Sequence, residues 1–127
     1  QFGIFTPLMR NHNAMSMRNQ EVYRFNAISD FRDIIRIRYA LLPYIYSEYM
    51  KAVIDDEMYF RPLAFDYPED AHAYQVEDQL MVGESIMIAP VYRQNAKGRY
   101  VYLPEDMMMV RLKNLASNTN NKNIKCS

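Results

Sequence analysis

Residues 5–12 have the sequence FTPLMRNH, a short apolar run that ends in Arg10, Asn11 and His12. The run predicts a β-strand within residues 1–13 whose C-terminal end is polar. In a barrel of parallel strands, the residues at which a strand leaves the barrel at its C-terminal end line the active site. A strand that ends in these three side chains therefore predicts a site for a polar substrate.

The position of this strand indicates that more of the protein lies outside the chain. A parallel strand needs a neighbouring strand and a crossover of a dozen or more residues, and nothing precedes this one. The chain also begins with Gln1 rather than Met. We therefore expect it to be part of a longer protein, with the first residues forming the end of a larger domain.

Composition excludes several classes of partner. The 127 residues carry 15 Lys plus Arg and 15 Asp plus Glu, so there is no basic field to attract nucleic acid or an anionic membrane. The longest uncharged apolar stretches, residues 39–47 and 85–92, are far shorter than the ~20 residues of a spanning helix. The single cysteine, Cys126, gives neither a disulfide framework nor a metal-binding spacing. We expect no nucleic-acid or membrane partner, no metal, no cofactor and a cytoplasmic location.

Residues 30–54 form the strongest periodic element. Apolar side chains recur there at helical spacing and predict an α-helix with one apolar stripe. Ser29 or Asp30 can cap its N-terminus, and Pro43 removes one backbone donor and predicts a kink. The stripe comprises Phe31, Ile34, Ile35, Arg38, Leu41, Leu42, Ile45, Tyr49 and Val53.

From Met58 onward the apolar period changes from 3.6 to about 2, which is typical of strands. Residues 58–65 predict a strand that Pro62 restricts to an edge or a bend. Residues 86–92 and 99–103 flank a turn that contains Gly98 and predict a hairpin. Residues 107–112 predict a further strand, and residues 113–127, rich in Asn and Lys, predict a disordered tail.

Five segments, in order, resemble glycoside hydrolase family 31, and most closely its bacterial α-glucosidases. They are QFGIFTPLMRNH (1–12), RYALLPYIYSEYMKA (38–52), RPLAFDYPED (61–70), DQLMVGESIMIAPV (78–91) and RYVYLPED (99–106). The resemblance covers residues 1 to about 106. The continuation after residue 106 departs from the family pattern, so we expect both ends of the chain to cut through a parent enzyme.

The resemblance implies an α+β fragment. Residues 1–57 would be the last strand and helix of a (β/α)₈ catalytic barrel, and residues 58–112 the start of an antiparallel β-sandwich-like domain, followed by the tail at 113–127. Tyr44 and Tyr46 would then bridge the barrel and the β domain. Arg61, inside an apolar strand, is expected to form a buried or interdomain ion pair. The strand edges at residues 4–9 and 58–65 would be exposed in the isolated chain and would promote self-association.

The resemblance also implies an activity. Members of this family hydrolyse α-linked glycosides with retention, using two aspartates, and both aspartates lie upstream of the segment matched here. The adjacent carboxylates of this chain, at Asp55–Glu57, Glu69–Asp70, Glu77–Asp78 and Glu105–Asp106, are better interpreted as solvated surface groups. We therefore expect no catalytic residue in this chain, which should be inactive alone, and an oligosaccharide as the substrate of the full-length α-glucosidase.

His12 is the one substrate-binding candidate. The resemblance implies that the histidine of this segment donates a hydrogen bond to hydroxyls of the sugar in the −1 subsite. Arg10 is expected to be structural and paired with an acid, Asn11 and Asn13 either shape the loop or touch sugar, and His72 is expected to be exposed. Two alternative functions are an α-xylosidase of the same family and a non-catalytic carbohydrate- or protein-binding module.

Overall fold

The computed structural model describes residues 2–15 and 18–109. It contains helix α1 (Ile28–Ile54), strand β1 (Phe60–Pro62), helix α2 (Leu63–Asp66), strand β2 (Leu80–Val82) and strand β3 (Ile86–Ile88). Short 3-10 helices lie at Phe2–Phe5, Val22–Arg24 and Ala73–Gln75. No helix among the described residues is long and apolar enough to cross a membrane.

The helix predicted over residues 30–54 is confirmed as α1, which begins at Ile28 and continues through Pro43. The predicted cap is wrong, because Ala27 occupies the N-cap position without a side-chain hydrogen bond. Ser29 and Asp30 instead lie inside the first turn, where the Asp30 carboxylate faces the positive end of the helix dipole.

The strands form one antiparallel sheet in the order β1–β2–β3. Phe60 pairs with Val82, and Val82 pairs with Ile86, so β2 lies in the centre. The strand predicted over residues 58–65 is shortened to three residues, because the chain turns into α2 directly after Pro62.

The hairpin predicted between residues 86–92 and 99–103 is wrong. β3 pairs with β2 instead, and residues 91–103 form no strand. The buried amide of Gln79 explains the difference, because it donates to Tyr102 O at 2.8 Å and accepts from Tyr102 N at 2.7 Å. A side chain thus supplies the two hydrogen bonds that a neighbouring strand would have made. The left-handed residue of this loop is Asn95, with φ of 61°, rather than Gly98.

The strand predicted at residues 107–112 lies only partly within the described residues, and the tail predicted after it lies outside them. Residues 107–109 are not part of a strand, and the remainder of the strand predicted to residue 112 lies outside the described residues. The tail predicted at residues 113–127 lies outside them as well.

The strand predicted at the start of the chain is also wrong. Phe2–Phe5 is a 3-10 helix and the rest of residues 6–15 is irregular. The described part of the chain offers no parallel strand beside this segment. Its carbonyl groups are bonded by side chains instead, chiefly by Arg38 of α1, so residues 4–9 are not a strand edge.

Two small hydrophobic clusters hold the elements together. One joins α1 to the sheet through Ile45, Tyr59, Val82 and Ile88. The other lies on the opposite face of β2 and contains Leu63, Ala73 and Met81. Within the apolar stripe predicted for α1, Ile45 is buried, whereas Leu42, Tyr49 and Val53 remain exposed.

Candidate functional site

The loop that carries His12 lies at the surface, and the His12 side chain is exposed. The Arg10 guanidinium contacts His12 Nδ1. The expected acid partner of Arg10 is absent among the described residues, where its guanidinium meets the imidazole instead. Because a guanidinium can only donate, Nδ1 accepts, and a neutral imidazole then carries its proton on Nε2.

The two asparagines that flank His12 shape its loop. Asn11 Nδ2 donates to Gln20 O at 2.7 Å, and Asn13 Nδ2 donates to Arg18 O at 2.8 Å. Asn13 Oδ1 also accepts from the next backbone N–H, at 2.9 Å. These bonds tie residues 11–13 to residues 18–20, so His12 stands at the end of a tethered loop.

An open pocket of about 550 Å³ lies against this loop. Its volume falls in the range of small-molecule sites, and amide and charged side chains are among its lining residues. His12 is not part of its lining, which consists of Asn11, Asn13, Ala14, Arg18, Asn19, Gln20, Glu21, Val22 and Tyr23.

Three of the carboxylates interpreted as solvated surface groups also have partners in the fold: Asp78 and Glu105 are exposed, as expected, and Asp70 is half-buried. Tyr102 Oη donates to Asp70 Oδ2 at 2.6 Å, Arg99 Nη2 lies 2.5 Å from Asp78 Oδ1, and Tyr67 Oη donates to Glu105 Oε1 at 2.5 Å. The partners are far apart along the chain, so no local pattern identifies them. These carboxylates fasten the segment around residues 99–105 to the rest of the structure.

Two of these contacts shift the pKa of a side chain, one in Tyr67 and one in Asp70. Desolvation, followed by the hydrogen bond to Glu105, raises the pKa of Tyr67 to about 12. The hydrogen bond from Tyr102 lowers the pKa of Asp70 below its ordinary value, with backbone donors adding to the effect.

Asp70 is expected to make stability pH-dependent in acid. A carboxyl whose pKa is lower in the folded state stabilises the fold above its unfolded pKa, about 3.9, and loses that contribution as pH falls through the folded pKa. Asp70→Asn should therefore lower the midpoint of thermal unfolding at pH 6, and the difference from the unsubstituted chain should vanish in strong acid. The exposed neighbour Glu69 provides the control Glu69→Gln. A difference that persists unchanged at pH 2 would contradict this role of Asp70.

The contact between α1 and the β2–β3 turn was missed by the sequence analysis. Glu48 is buried, with 7% of its surface exposed. Its Oε2 accepts from Glu84 N at 3.1 Å, and its Oε1 lies 3.1 Å from Lys51 Nζ. The only sequence signal was Gly83 in the turn, where φ is +59° and an added Cβ would collide with the Glu48 side chain.

Tyrosine and arginine side chains complete the same junction. Tyr44 Oη donates to Val82 O at 2.7 Å and accepts from Ser85 N at 3.0 Å, whereas Tyr46 is exposed. Arg61 Nε lies 2.7 Å from Asp66 Oδ1, and its Nη2 donates to the turn carbonyl of residue 83 at 3.0 Å. The ion pair expected for Arg61 is thus partly buried and local. His72 is exposed, as predicted.

Models of two consecutive domains match the chain. The model of the glycosyl hydrolase family 31 TIM-barrel domain matches residues 1–48, and that of the family 31 C-terminal domain matches residues 56–126. The chain belongs to glycosyl hydrolase family 31. The sequence resemblance to this family is therefore confirmed.

Individual proteins similar to this chain agree with this assignment. Lysosomal alpha-glucosidase of Bos taurus is 38% identical over 107 residues, which are 83% of this chain and 11% of that protein. Alpha-glucosidase 2 of Bacillus thermoamyloliquefaciens is 36% identical over 107 residues, 83% of this chain and 14% of that protein. A crystal structure of a family 31 alpha-xylosidase from a soil metagenome, complexed with xylose, superposes with a TM-score of 0.70 at 31% identity, covering 85% of this chain and 19% of that one. The chain thus spans less than a fifth of the length of these relatives.

Proposed function

We propose that the chain contributes the end of the catalytic barrel and the start of the following β domain to a retaining α-glucosidase. The observation that carries this proposal is the pair of domain matches, barrel first and C-terminal domain second. The two curated relatives named alpha-glucosidase support hydrolysis of terminal α-linked glucosyl residues of oligosaccharides. In this proposal residues 1–57 belong to the barrel and residues 58–112 to the β domain.

His12 is the proposed sugar-binding residue. With Nδ1 occupied by Arg10, the neutral ring presents Nε2–H as a donor to a sugar hydroxyl. The ring is exposed, so this N–H is accessible. The tethers at Asn11 and Asn13 limit the movement of the loop, which reduces the entropy lost when a sugar binds.

The bond-breaking groups are proposed to come from outside this chain. Retention requires two carboxyl groups about 5–5.5 Å apart across the sugar, one as nucleophile and one as acid and base. Asp70, Asp78 and Glu105 are instead bonded to tyrosine or arginine side chains, and Glu48 is bonded to Lys51 and the turn. These groups serve the fold, so the chain supplies substrate binding and architecture.

The test uses the protein encoded by the whole reading frame that contains this chain. His12→Ala should reduce kcat/KM for 4-nitrophenyl α-glucoside by roughly 100-fold, the effect of removing one donor that strengthens in the transition state. The chain has only two histidines, so the exposed His72 gives the matched control His72→Ala, expected to be neutral. Kinetics of His12→Ala equal to those of His72→Ala would refute the proposed role.

The isolated chain provides the complementary measurement. We expect it to release no nitrophenol from 4-nitrophenyl α-glucoside under conditions in which the complete protein is active. Hydrolysis by the isolated chain would overturn the proposal that the catalytic carboxylates lie elsewhere.

The alternative substrate is an α-xyloside, favoured by the structural similarity to the family 31 alpha-xylosidase. The ratio of kcat/KM for 4-nitrophenyl α-glucoside and α-xyloside in the complete protein separates the two activities. A ratio in favour of the xyloside would replace glucosidase with xylosidase and leave the proposed role of His12 in place.

A further inference from the structure

Four consecutive backbone carbonyls near the start of the chain accept hydrogen bonds from side chains of other elements. Arg38 Nη1 donates to the carbonyls of Ile4 and Thr6, each at 2.7 Å, and Arg38 Nη2 donates to that of Pro7 at 3.0 Å. Tyr59 Oη donates to the carbonyl of residue 5 at 2.5 Å. We call Arg38, Tyr59 and these four carbonyls the backbone clamp.

The donors match the acceptors in number and direction. The Nη1 group of Arg38 has two protons and bonds two carbonyls, and a guanidinium holds its N–H groups in a rigid planar fork. The single phenolic proton of Tyr59 bonds the remaining carbonyl. A lysine ammonium is a compact point charge without such a fork, so it would not reproduce the set of bonds.

Both donors are held by the body of the fold. Arg38 lies within α1, and the Tyr59 ring is 8% exposed and packs edge-on against Tyr49 and Phe60. Residues 4–7 are therefore fixed to the helix and to the sheet at the same time.

The clamp ends just before the loop that carries His12. The Thr6 hydroxyl lies 2.8 Å from the carbonyls of both Gly3 and Leu8 and can donate its single proton to either one. On the far side of His12, the two asparagine tethers bind residues 18–20. The loop is thus held at both of its ends, and the clamp is the end that connects it to α1 and the sheet.

From this geometry we infer that Arg38 is a positioning residue for His12: it fixes residues 4–7 to α1 and so determines where the His12 imidazole stands. Arg38 touches no substrate in this inference, and its importance for turnover rests on the sugar-binding function proposed for His12. Tyr59 assists from the side of the sheet.

The first test measures backbone order in the 127-residue chain by NMR relaxation. Arg38→Gln should lower the order parameters of residues 5–12, other than Pro7, from about 0.85 to below about 0.6, while the amides of α1 keep their values. Arg36→Gln on the same helix is the matched control, because Arg36 is exposed and, among the described residues, its guanidinium pairs only with Asp33, at 3.4 Å. Unchanged order parameters in Arg38→Gln would overturn the inference.

Two conservative variants refine this test. Tyr59→Phe keeps the buried ring and removes one donor, so we expect a smaller loss of order centred on residue 5. Arg38→Lys keeps the charge without the fork and should fall between Arg38→Gln and the unsubstituted chain. Full order in Arg38→Lys would show that charge alone suffices and would contradict the proposed geometry.

The second test measures turnover of the complete protein, with the fraction of folded enzyme checked by circular dichroism. Arg38→Gln should reduce kcat/KM for 4-nitrophenyl α-glucoside about 10-fold or more through misplacement of His12, with Arg36→Gln unaffected. Lower order with a neutral His12→Ala would support the clamp and refute the function proposed for His12. A strong loss of turnover in His12→Ala, with unchanged order parameters and turnover in Arg38→Gln, would support the function proposed for His12 and refute the positioning role of Arg38.

Discussion

Gly83→Ala is expected to lower the free energy of unfolding by about 2–5 kcal/mol. Gly83 has a φ of +59°, a conformation that costs an L-residue roughly 1–2 kcal/mol. The added methyl group would also collide with the buried side chain of Glu48, and overpacking of this kind costs typically 1–3 kcal/mol. Glu48 cannot move away freely, because it bonds Lys51 and the backbone N–H of Glu84.

The measurement is urea unfolding followed by circular dichroism, with Gly98→Ala as the matched control. A Cβ at Gly98 would meet no atom of the described part of the chain within 4 Å, and the φ of Gly98 is not in the left-handed region. We expect Gly98→Ala to be neutral or to stabilise slightly by restricting the unfolded chain. Equal stability of the two variants would contradict the close packing of the turn against α1.

Arg61→Met is expected to cost about 2–4 kcal/mol. The side chains of Arg61 and Asp66 are 18% and 25% exposed, so removing the arginine leaves a partly buried carboxylate without its partner. Asp66 Oδ2 is already buried and has no hydrogen-bond partner within residues 2–15 and 18–109, so Arg61 is the group that offsets the desolvation of this carboxylate. The carbonyl of Gly83 would lose a donor as well.

The control for this prediction is Arg36→Met. The ion pair between Arg36 and Asp33 has a distance of 3.4 Å and side chains that are 50% and 40% exposed, so its loss should change stability by less than about 1 kcal/mol. The double variant Arg61→Met with Asp66→Leu should recover part of the lost stability, because it removes the unpaired charge. Failure of the double variant to recover any stability would assign the cost to packing instead.

The parts of the fold that depend on local pattern could be predicted from sequence. The apolar period of residues 30–54 is a property of adjacent turns, and α1 appeared with almost the predicted bounds. The family was likewise recognisable from five short motifs. Local pattern failed at Ser29 and Asp30, because the helix start depends on where the preceding chain turns.

The parts that depend on distant side chains could not be predicted. The apolar alternation of residues 99–103 is a good strand pattern, yet the backbone N–H and carbonyl of Tyr102 are bonded by the side chain of Gln79. Residues 4–9 have the composition of a barrel strand, but the carbonyls of residues 4, 6 and 7 accept hydrogen bonds from Arg38, which the sequence placed in an apolar stripe. Both errors arose because a long polar side chain can take the place of a neighbouring strand as hydrogen-bond partner of the backbone. The spacing of apolar residues along the sequence does not show where this happens.

The candidate site divides in the same way. His12 was proposed as a candidate from its motif. Its contact with Arg10 was visible only in the coordinates, because Arg10 was expected to pair with an acidic residue. The roles of Asn11 and Asn13 also became visible only with their backbone partners in place. Glu48 gave no sequence signal of its own, because its burial depends on a glycine 35 positions further along the chain.

The backbone clamp also implies an order of folding. Its hydrogen bonds join residues that are 31 to 54 positions apart. Closing such long loops costs conformational entropy, and that cost falls once α1 and the sheet have ordered the intervening chain. The backbone clamp therefore depends on α1 and the sheet, whereas α1 and the sheet do not depend on the clamp. A change that unfolds the turn at Gly83 releases the His12 loop as well, whereas release of the loop leaves the helix and the sheet standing.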